Sequence, residues 1–377
     1  MKILVNAIST KKHAGGAYQI AFNFISRTLE HNDVEWIYVV SKDLDEILPG
    51  KIKTARDYYV FPTQPDFMHS YKQVKKEMAE LEERLKPDVV YSITAPSYFT
   101  FKAPEVMRFT NPWLTHPNKY AWSVLPIKTK IRYFLYGLNQ KRLMKKCHYF
   151  ITQTETCAEG IRRITGAPKE QVKVVNNVLP AVFKSMVNIP IKEDNYINIA
   201  CVGAATTHKN FDIIPDVLLA LNDTGVKNVR FHVTLPDDEP ILNAVDKKLR
   251  LYGLSDKLVN HGRLPQIELG DMYRRCQLCF LPTLLEVFSA STVEAMFFQL
   301  PIVATDFSFN REVMGDACLY YEPMNAKEAA MQIKRYIEDE SLQHEMKQKM
   351  AKQLTAFSDY DKHFNDILGF LIEVGKK

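Results

Sequence analysis

The chain has 377 residues, 46% of them hydrophobic and 25% charged, a globular balance that excludes a disordered or fibrous protein. At roughly 100–200 residues per domain the length implies two domains. The net charge of +5 joins unlike halves: residues 1–180 carry 27 Lys/Arg against 17 Asp/Glu, and residues 181–377 carry 22 against 27. Two electrostatic roles are therefore expected.

In chain order, KILVNAI (2–8) reads as a buried strand, Gly15-Gly16 as a turn, and AYQIAFNFISRTLE as a helix through the spacing of Ile20, Phe24, Ile25 and Leu29. The N-terminus has one Lys before a short apolar stretch, so it reads as a first strand and not as a signal peptide. WIYVV (36–40), the charged helix YKQVKKEMAELEERL, KPDVVYS (86–92), CHYFITQT (147–154), the helix TCAEGIRRITG and QVKVVNN (171–177) continue the alternation. VFKSMVNIPIKEDNY reads as a linker, with a boundary near 180–195. The scheme then repeats: INIACVG (197–203), the helix FDIIPDVLLALNDTG, VRFHVTL, the helix PILNAVDKKLRLYG, KLVNHG, a helix near ELGDMYRRC, CQLCFLP, the helix STVEAMFFQ and PIVATD (301–306). Strands alternating with helices predict a parallel, doubly wound α/β sheet in each half. Ligands bind beyond the carboxyl ends of such strands, so two such domains facing each other would place the chemistry in a cleft.

Several chemistries are disfavoured. No G-x-G-x-x-G follows either opening strand, and no G-x-x-x-x-G-K-[ST], G-x-S-x-G or H-E-x-x-H occurs. The six Cys (147, 157, 201, 276, 279, 318) are too dispersed for a disulfide framework. Cys276-x-x-Cys279 has no second pair and runs into an apolar strand, so both read as buried structural residues. The ten His lack ligand spacing; no metal site and no cofactor are expected. No run of about 18 apolar residues occurs, and a cytoplasmic protein is expected.

The informative stretch is PTLLEVFSASTVEAMFFQLPIVATDFSFNREVMGDACLYYEP (282–323). A turn from Glu286 to Ser289 feeds a helix starting near Ser291, whose first N–H groups could hold phosphates. Glu294, one turn in, could accept hydrogen bonds from ribose hydroxyls, and Glu286 could touch a transferred group.

The run E-x-F-[small]-x-x-x-x-E-A-M, then L-P-I-V-A-T-D, R-E-V-M-G-D-A and Y-E-P resembles the large retaining glycosyltransferase family 4, or group 1, with the GT-B fold. VGAATTHKN (202–210) and KLVNHGRLP (257–265) fall in the family's order, and KPDVVYS, ITQTE, VKVVNNVL and Phe357-Ser358 match looser landmarks. The resemblance implies two Rossmann-like domains facing across a cleft: residues 1–185 for the acceptor, 186–358 for the donor, and a C-terminal helix, 359–377, packing back towards the first.

By the same match Lys209 is the phosphate-binding lysine, Glu286 the glutamate near the donor sugar, and Glu294 the ribose-binding one. Lys209 would neutralise the departing diphosphate. Gly16 falls on the N-domain glycine loop, where a backbone without Cβ approaches closely, and Gly203, Leu264, Phe288, Ser289 and Ala290 fall along the donor site. The sequence departs from the family at three positions. Ala204 stands where an arginine often follows the loop glycine, Ser289 where a glycine is usual, and Asn111 where a histidine near the sugar is usual. His116, five residues on, is the candidate substitute among the catalytic residues Glu286, Lys209 and His116.

Between Glu105 and Glu155 the sequence has no acidic residue but nine Lys/Arg, interleaved with Trp and Tyr. Basic and aromatic residues together suit an anionic membrane surface; the composition also suits single-stranded nucleic acid, which the resemblance disfavours. Asn111, Trp113, Lys119, Trp122, Lys128, Lys130 and Arg132 are thus assigned to the acceptor or membrane side.

The expected partners are a nucleotide-diphosphate sugar, a glycan or lipid-linked glycan acceptor, and an anionic membrane, with peripheral attachment at the inner face of the cytoplasmic membrane. A surface polysaccharide or lipopolysaccharide is the expected product. The alternatives are a related nucleotide-sugar epimerase and a degenerate, non-catalytic binding subunit.

Overall fold

The computed structural model describes residues 1–11, 16–61, 71–186, 191, 195–357 and 359–377. The chain divides into two compact units, one of residues 1–116, 131–176 and 361–377, the other of 117–130 and 177–360.

The first unit is built on a seven-stranded parallel sheet, counted among the described residues. Its strands are β1 (Lys2–Ala7), β2 (Glu35–Ser41), β3 (Tyr58–Phe61), β4 (Val89–Ser92), β5 (Glu105–Arg108), β6 (Tyr149–Thr152) and β7 (Val172–Val174). Their order is β3-β2-β1-β4-β5-β6-β7, with Ile3 opposite Trp36 on one side and Val89 on the other. The opening strand KILVNA is apolar because both faces are covered, as in other parallel sheets. On one face Val5, Phe24, Tyr91 and Val106 form a core with Phe364 and Leu371 of the helix Tyr360–Gly375. Phe364 stacks on Phe24 with centroids 4.9 Å apart. The other face packs Leu4, Val39 and Val90 against Val74, Met78 and Leu81 of the helix Tyr71–Leu85.

The helix Glu155–Thr165 starts where Thr154 accepts a hydrogen bond from the Cys157 amide (3.3 Å), an ordinary N-cap. Gly160 in that helix must be glycine, since a Cβ there would lie 2.2 Å from the Thr115 carbonyl oxygen.

The second unit carries a six-stranded parallel sheet, again among the described residues: β8 (Ile197–Cys201), β9 (Val229–Val233), β10 (Leu258–Asn260), β11 (Leu278–Leu281), β12 (Ile302–Thr305) and β13 (Cys318–Tyr321). Their order is β10-β9-β8-β11-β12-β13. Phe231, Phe280 and Tyr321 meet on one face of this sheet, with centroids 5.6 Å apart in each step. All six cysteines are buried and unpaired with one another.

The unit boundary falls before residue 177 and not at 185. The helix Ala181–Lys184 already belongs to the second unit, because Phe183 packs edge-on against Phe298 at 5.5 Å. Much of the expected linker, residues 187–190 and 192–194, lies outside the described residues, as does Ser358. The acid-free stretch does not form one N-terminal face. Residues 117–130 join the second unit, where Asn118 Nδ2 donates to the Leu284 carbonyl (2.7 Å) and Tyr120 packs edge-on against Phe307.

Candidate functional site

In a doubly wound sheet the chain leaves neighbouring strands in opposite directions at one point, and the loops there open a crevice at the strand ends. In the second unit that point lies between β8 and β11, which pair in parallel through Ile199 and Leu278. The loop after β8 carries Gly203 and Lys209, the latter closing a short 3-10 turn, Thr207–Lys209. The loop after β11 carries Glu286. Residues 77 apart in sequence thus meet: Lys209 Nζ donates to Glu286 Oε2 at 2.5 Å.

A backbone bond joins the two loops and further bonds hold the second loop in place. The Leu284 amide donates to the His208 carbonyl (2.7 Å), and Thr305 Oγ1 donates to the Thr283 carbonyl (2.6 Å). The Val287 amide donates to Glu286 Oε1 (3.1 Å). Burial alone would push the Glu286 carboxyl up. The Lys209 ammonium, its hydrogen bond, His208 and the Val287 amide outweigh that and hold it below the ordinary carboxylate value. Burial, with the Lys209 charge beside it, drops the His208 imidazole to about 4 against the opposing pull of Glu286. His208 is therefore neutral at pH 7.

Gly203 permits this arrangement. A Cβ there would sit 3.4 Å from Lys209 Cδ and 3.5 Å from Phe211 Cζ. One methyl group fits at those distances and a branched side chain does not. Gly203→Ala is expected to keep activity within about threefold, and Gly203→Val to lose at least about tenfold by pushing Lys209 off Glu286. Steady-state kinetics on the two variants check this; equal activity in both would refute the packing argument.

Next to Glu286 starts the helix Ala290–Phe297, with Ser289 at its N-cap. No side chain caps it; the Ser289 and Ser291 hydroxyls bond each other at 2.7 Å instead. Its first N–H groups and positive dipole end therefore stand beside the Lys209–Glu286 pair. Glu294, in the same helix, is buried and accepts a hydrogen bond from the Tyr273 hydroxyl (2.9 Å). Burial lifts its carboxyl to about 7, against the opposing effect of that bond. A cation, a carboxylate and uncapped amides at a switch point make a site for a phosphorylated ligand.

Residues 184–353 match the family "Glycosyl transferases group 1". That match falls within the second unit. Over 152 residues it is 24% identical to mannosylfructose-phosphate synthase of Agrobacterium fabrum strain C58; the match covers 38% of this chain and 33% of that protein. The chain thus spans a third of the curated relative it matches. Among solved structures, a glycosyltransferase from Rickettsia africae superposes with a TM-score of 0.73 at 12% identity, covering 100% of this chain and 99% of that one. Anabaena HepE, solved in complex with UDP and glucose, superposes with a TM-score of 0.69 at 15% identity, covering 98% and 99%. At these identities the likeness establishes the fold, and the α/β GT-B class expected from the sequence is the one observed.

The remaining residues singled out from the sequence are placed as follows. Phe288 is buried with its ring edge-on to Phe357 (5.5 Å). Ala290 is exposed, and Leu264 is half-buried between β10 and the helix Gln266–Arg275. Gly16 is the first residue of the helix Gly16–Arg27; residues 12–15, including Gly15, lie outside the described residues.

In the first unit Asn111 caps the short helix Pro112–Thr115 by accepting from the Trp113 amide (3.1 Å), and its Nδ2 donates to Gln140 Oε1 (2.7 Å). His116 ends that helix, its Nδ1 2.9 Å from Thr115 Oγ1. Asn111, Trp113, Arg132, Tyr133, Tyr136 and Gln140 line a cavity of about 360 Å3. Lys119 and Trp122 lie in the helix Lys119–Ser123 of the second unit, and Lys128 and Lys130 at the start of the helix Ile127–Met144. Sequence reasoning missed Tyr273, Asn118 and His208. Only the buried face of the helix Gln266–Arg275, with Met272 and Tyr273, could have signalled one of them.

Proposed function

We propose that this chain is a retaining, metal-independent glycosyltransferase. It moves one sugar from a nucleotide-diphosphate donor to a glycan or lipid-linked glycan acceptor at an anionic membrane surface, in assembly of a bacterial surface polysaccharide. The observation that carries this reading is the Lys209–Glu286 pair, closed over Gly203 beside an uncapped helix at the β8/β11 switch point. The HepE relative, solved with UDP and glucose, supports a nucleotide sugar as donor. The acid-free, basic stretch 106–154 supports an anionic surface.

The donor's diphosphate takes Lys209 away from Glu286, and Glu286 then accepts hydrogen bonds from the sugar hydroxyls. As the bond from the sugar's anomeric carbon to the diphosphate oxygen breaks, the charge gained on that oxygen is met by Lys209 and the helix amides. Lys209 thus supplies the cation that a divalent metal supplies elsewhere. The acceptor hydroxyl attacks from the face the diphosphate leaves, and its proton passes to the departing phosphate oxygen. Glu294 holds the ribose.

The test is a thermal-shift panel of UDP-, GDP- and dTDP-sugars, followed by transfer with and without EDTA. One donor should raise the melting temperature, and transfer should survive EDTA and keep the donor's anomeric configuration. Epimerisation of donor without acceptor, or no shift with any nucleotide sugar, overturns the reading.

A further inference from the structure

The helix Ile127–Met144 turns its inner side to the protein through Gly137, Leu143 and Met144. A helix in that setting normally shows water a polar outer face. This one shows an apolar stripe. Ile127, Ile131, Phe134, Leu135 and Leu138 are each between 52% and 70% exposed. At 3.6 residues per turn they fall within an arc of about 100°. Lys130 and Lys141 border one edge of that arc and Lys128 the other, and Arg142 ends the stripe one turn beyond Leu138. None of the helix's eighteen residues is acidic.

Among the described residues no helix is long and apolar enough to cross a membrane. An apolar stripe edged on both sides by cations is instead the pattern of a helix lying in the lipid interface, with its stems along the acyl boundary and its charges at the headgroups. A second copy of the chain fits the stripe poorly. A two-fold contact would bring the basic borders of both copies together, with no carboxylate on the helix to pair them.

We infer that the outward face of the helix Ile127–Met144 is the membrane-docking surface: it lies in the headgroup region of an anionic bilayer with Ile131, Phe134, Leu135 and Leu138 against the acyl chains. This rests on the membrane-facing part of the function proposed above, and it adds which atoms make the contact and that the contact is apolar as well as electrostatic.

The experiment is co-sedimentation of the full chain with phosphatidylcholine vesicles, with and without phosphatidylglycerol. It compares wild type with the double variant Phe134→Ser, Leu135→Ser. Wild type should bind the anionic vesicles, and the variant should lose at least about tenfold in partitioning with an unchanged melting temperature in the absence of lipid. A Phe134→Trp variant should gain fluorescence that brominated acyl chains quench. If the double variant binds anionic vesicles as wild type does, binding is by charge alone, and this inference falls while the membrane reading stands. If wild type binds neither vesicle, both fall. A vesicle-free dimer that the double variant dissolves would assign the stripe to a second copy and overturn the inference.

Discussion

Lys209→Ala is expected to lower kcat/KM for transfer by about a thousandfold, the cost of removing one fixed charge from a developing oxyanion. The variant should also be less stable, for a separate reason. Lys209 and Glu286 are 14% and 23% exposed in their side chains, so the carboxylate left behind is largely desolvated and has lost its cation. With Lys209 present the Glu286 carboxyl sits below its ordinary value. It therefore contributes stability above that ordinary value, and the contribution is lost as the pH falls through the lowered one. Without Lys209, burial dominates and the direction reverses: the carboxyl titrates high, and stability falls as the pH rises through it. Losing one partner of a half-buried pair should cost about 2 kcal/mol at neutral pH. The double variant Lys209→Ala, Glu286→Gln separates the two effects. Its melting temperature should return towards wild type while transfer stays lost. Recovery of transfer in the double variant would sink the assigned role.

Glu294→Gln should stabilise the protein at alkaline pH and weaken its hold on UDP. The Glu294 carboxyl is buried and titrates at about 7, whereas in the unfolded chain it titrates near its ordinary value of 4.5. Below that ordinary value both states are protonated and no penalty exists. Between it and about 7 the unfolded chain ionises and the folded one resists, so stability falls as the pH rises; above about 7 the loss is constant. A gap of that size corresponds to a penalty on the order of 3 kcal/mol. Wild type and Glu294→Gln should therefore melt alike near pH 4 and diverge by pH 8, with the glutamine form the more stable. Binding runs the other way. Ribose hydroxyls donate to an ionised carboxylate more strongly than to a neutral group, so UDP affinity in wild type should strengthen between about pH 6 and 8. In the glutamine variant it should be flat and about tenfold weaker. Calorimetric titration with UDP reads both; a pH-independent wild type would contradict the ribose assignment.

Runs such as KILVNA and INIAC are apolar on both faces, and they are legible as strands because parallel sheets need them so. β5 was not legible: it is only Glu105–Arg108, with a charged residue at each end. Glu105 accepts a hydrogen bond from Ser92 (2.5 Å), whereas Arg108 is buried at a cost in desolvation. Burial lifts the Glu105 carboxyl to about 7, and no apolar pattern announces such an element. β3 and β13, four residues each and rich in tyrosine, also passed unread as strands. At the site the residue types were legible and their pairing was not. Nothing in the spacing of Lys209 and Glu286 says that they touch; that follows from β8 and β11 lying side by side. The Tyr273–Glu294 bond likewise joins two helices, Gln266–Arg275 and Ala290–Phe297, that spacing alone does not bring together. The acid-free stretch read as one surface because composition carries no partner information. Asn118 and Tyr120 show that part of it packs on the second unit's loops.

The helix Tyr360–Gly375 has a consequence for synthesis. The first unit's core needs Phe364, Ile367, Leu368, Phe370, Leu371 and Val374, yet these are made only after the second unit's residues 177–360. At roughly 5–20 residues per second, translating residues 177–359 takes on the order of ten to forty seconds. Throughout that interval Phe24 and Tyr91 stand without the ring that later covers Phe24 at 4.9 Å. The first half of the chain is therefore made early and finished late. A nascent chain stalled anywhere in the second unit leaves that apolar slot open until the helix Tyr360–Gly375 is made.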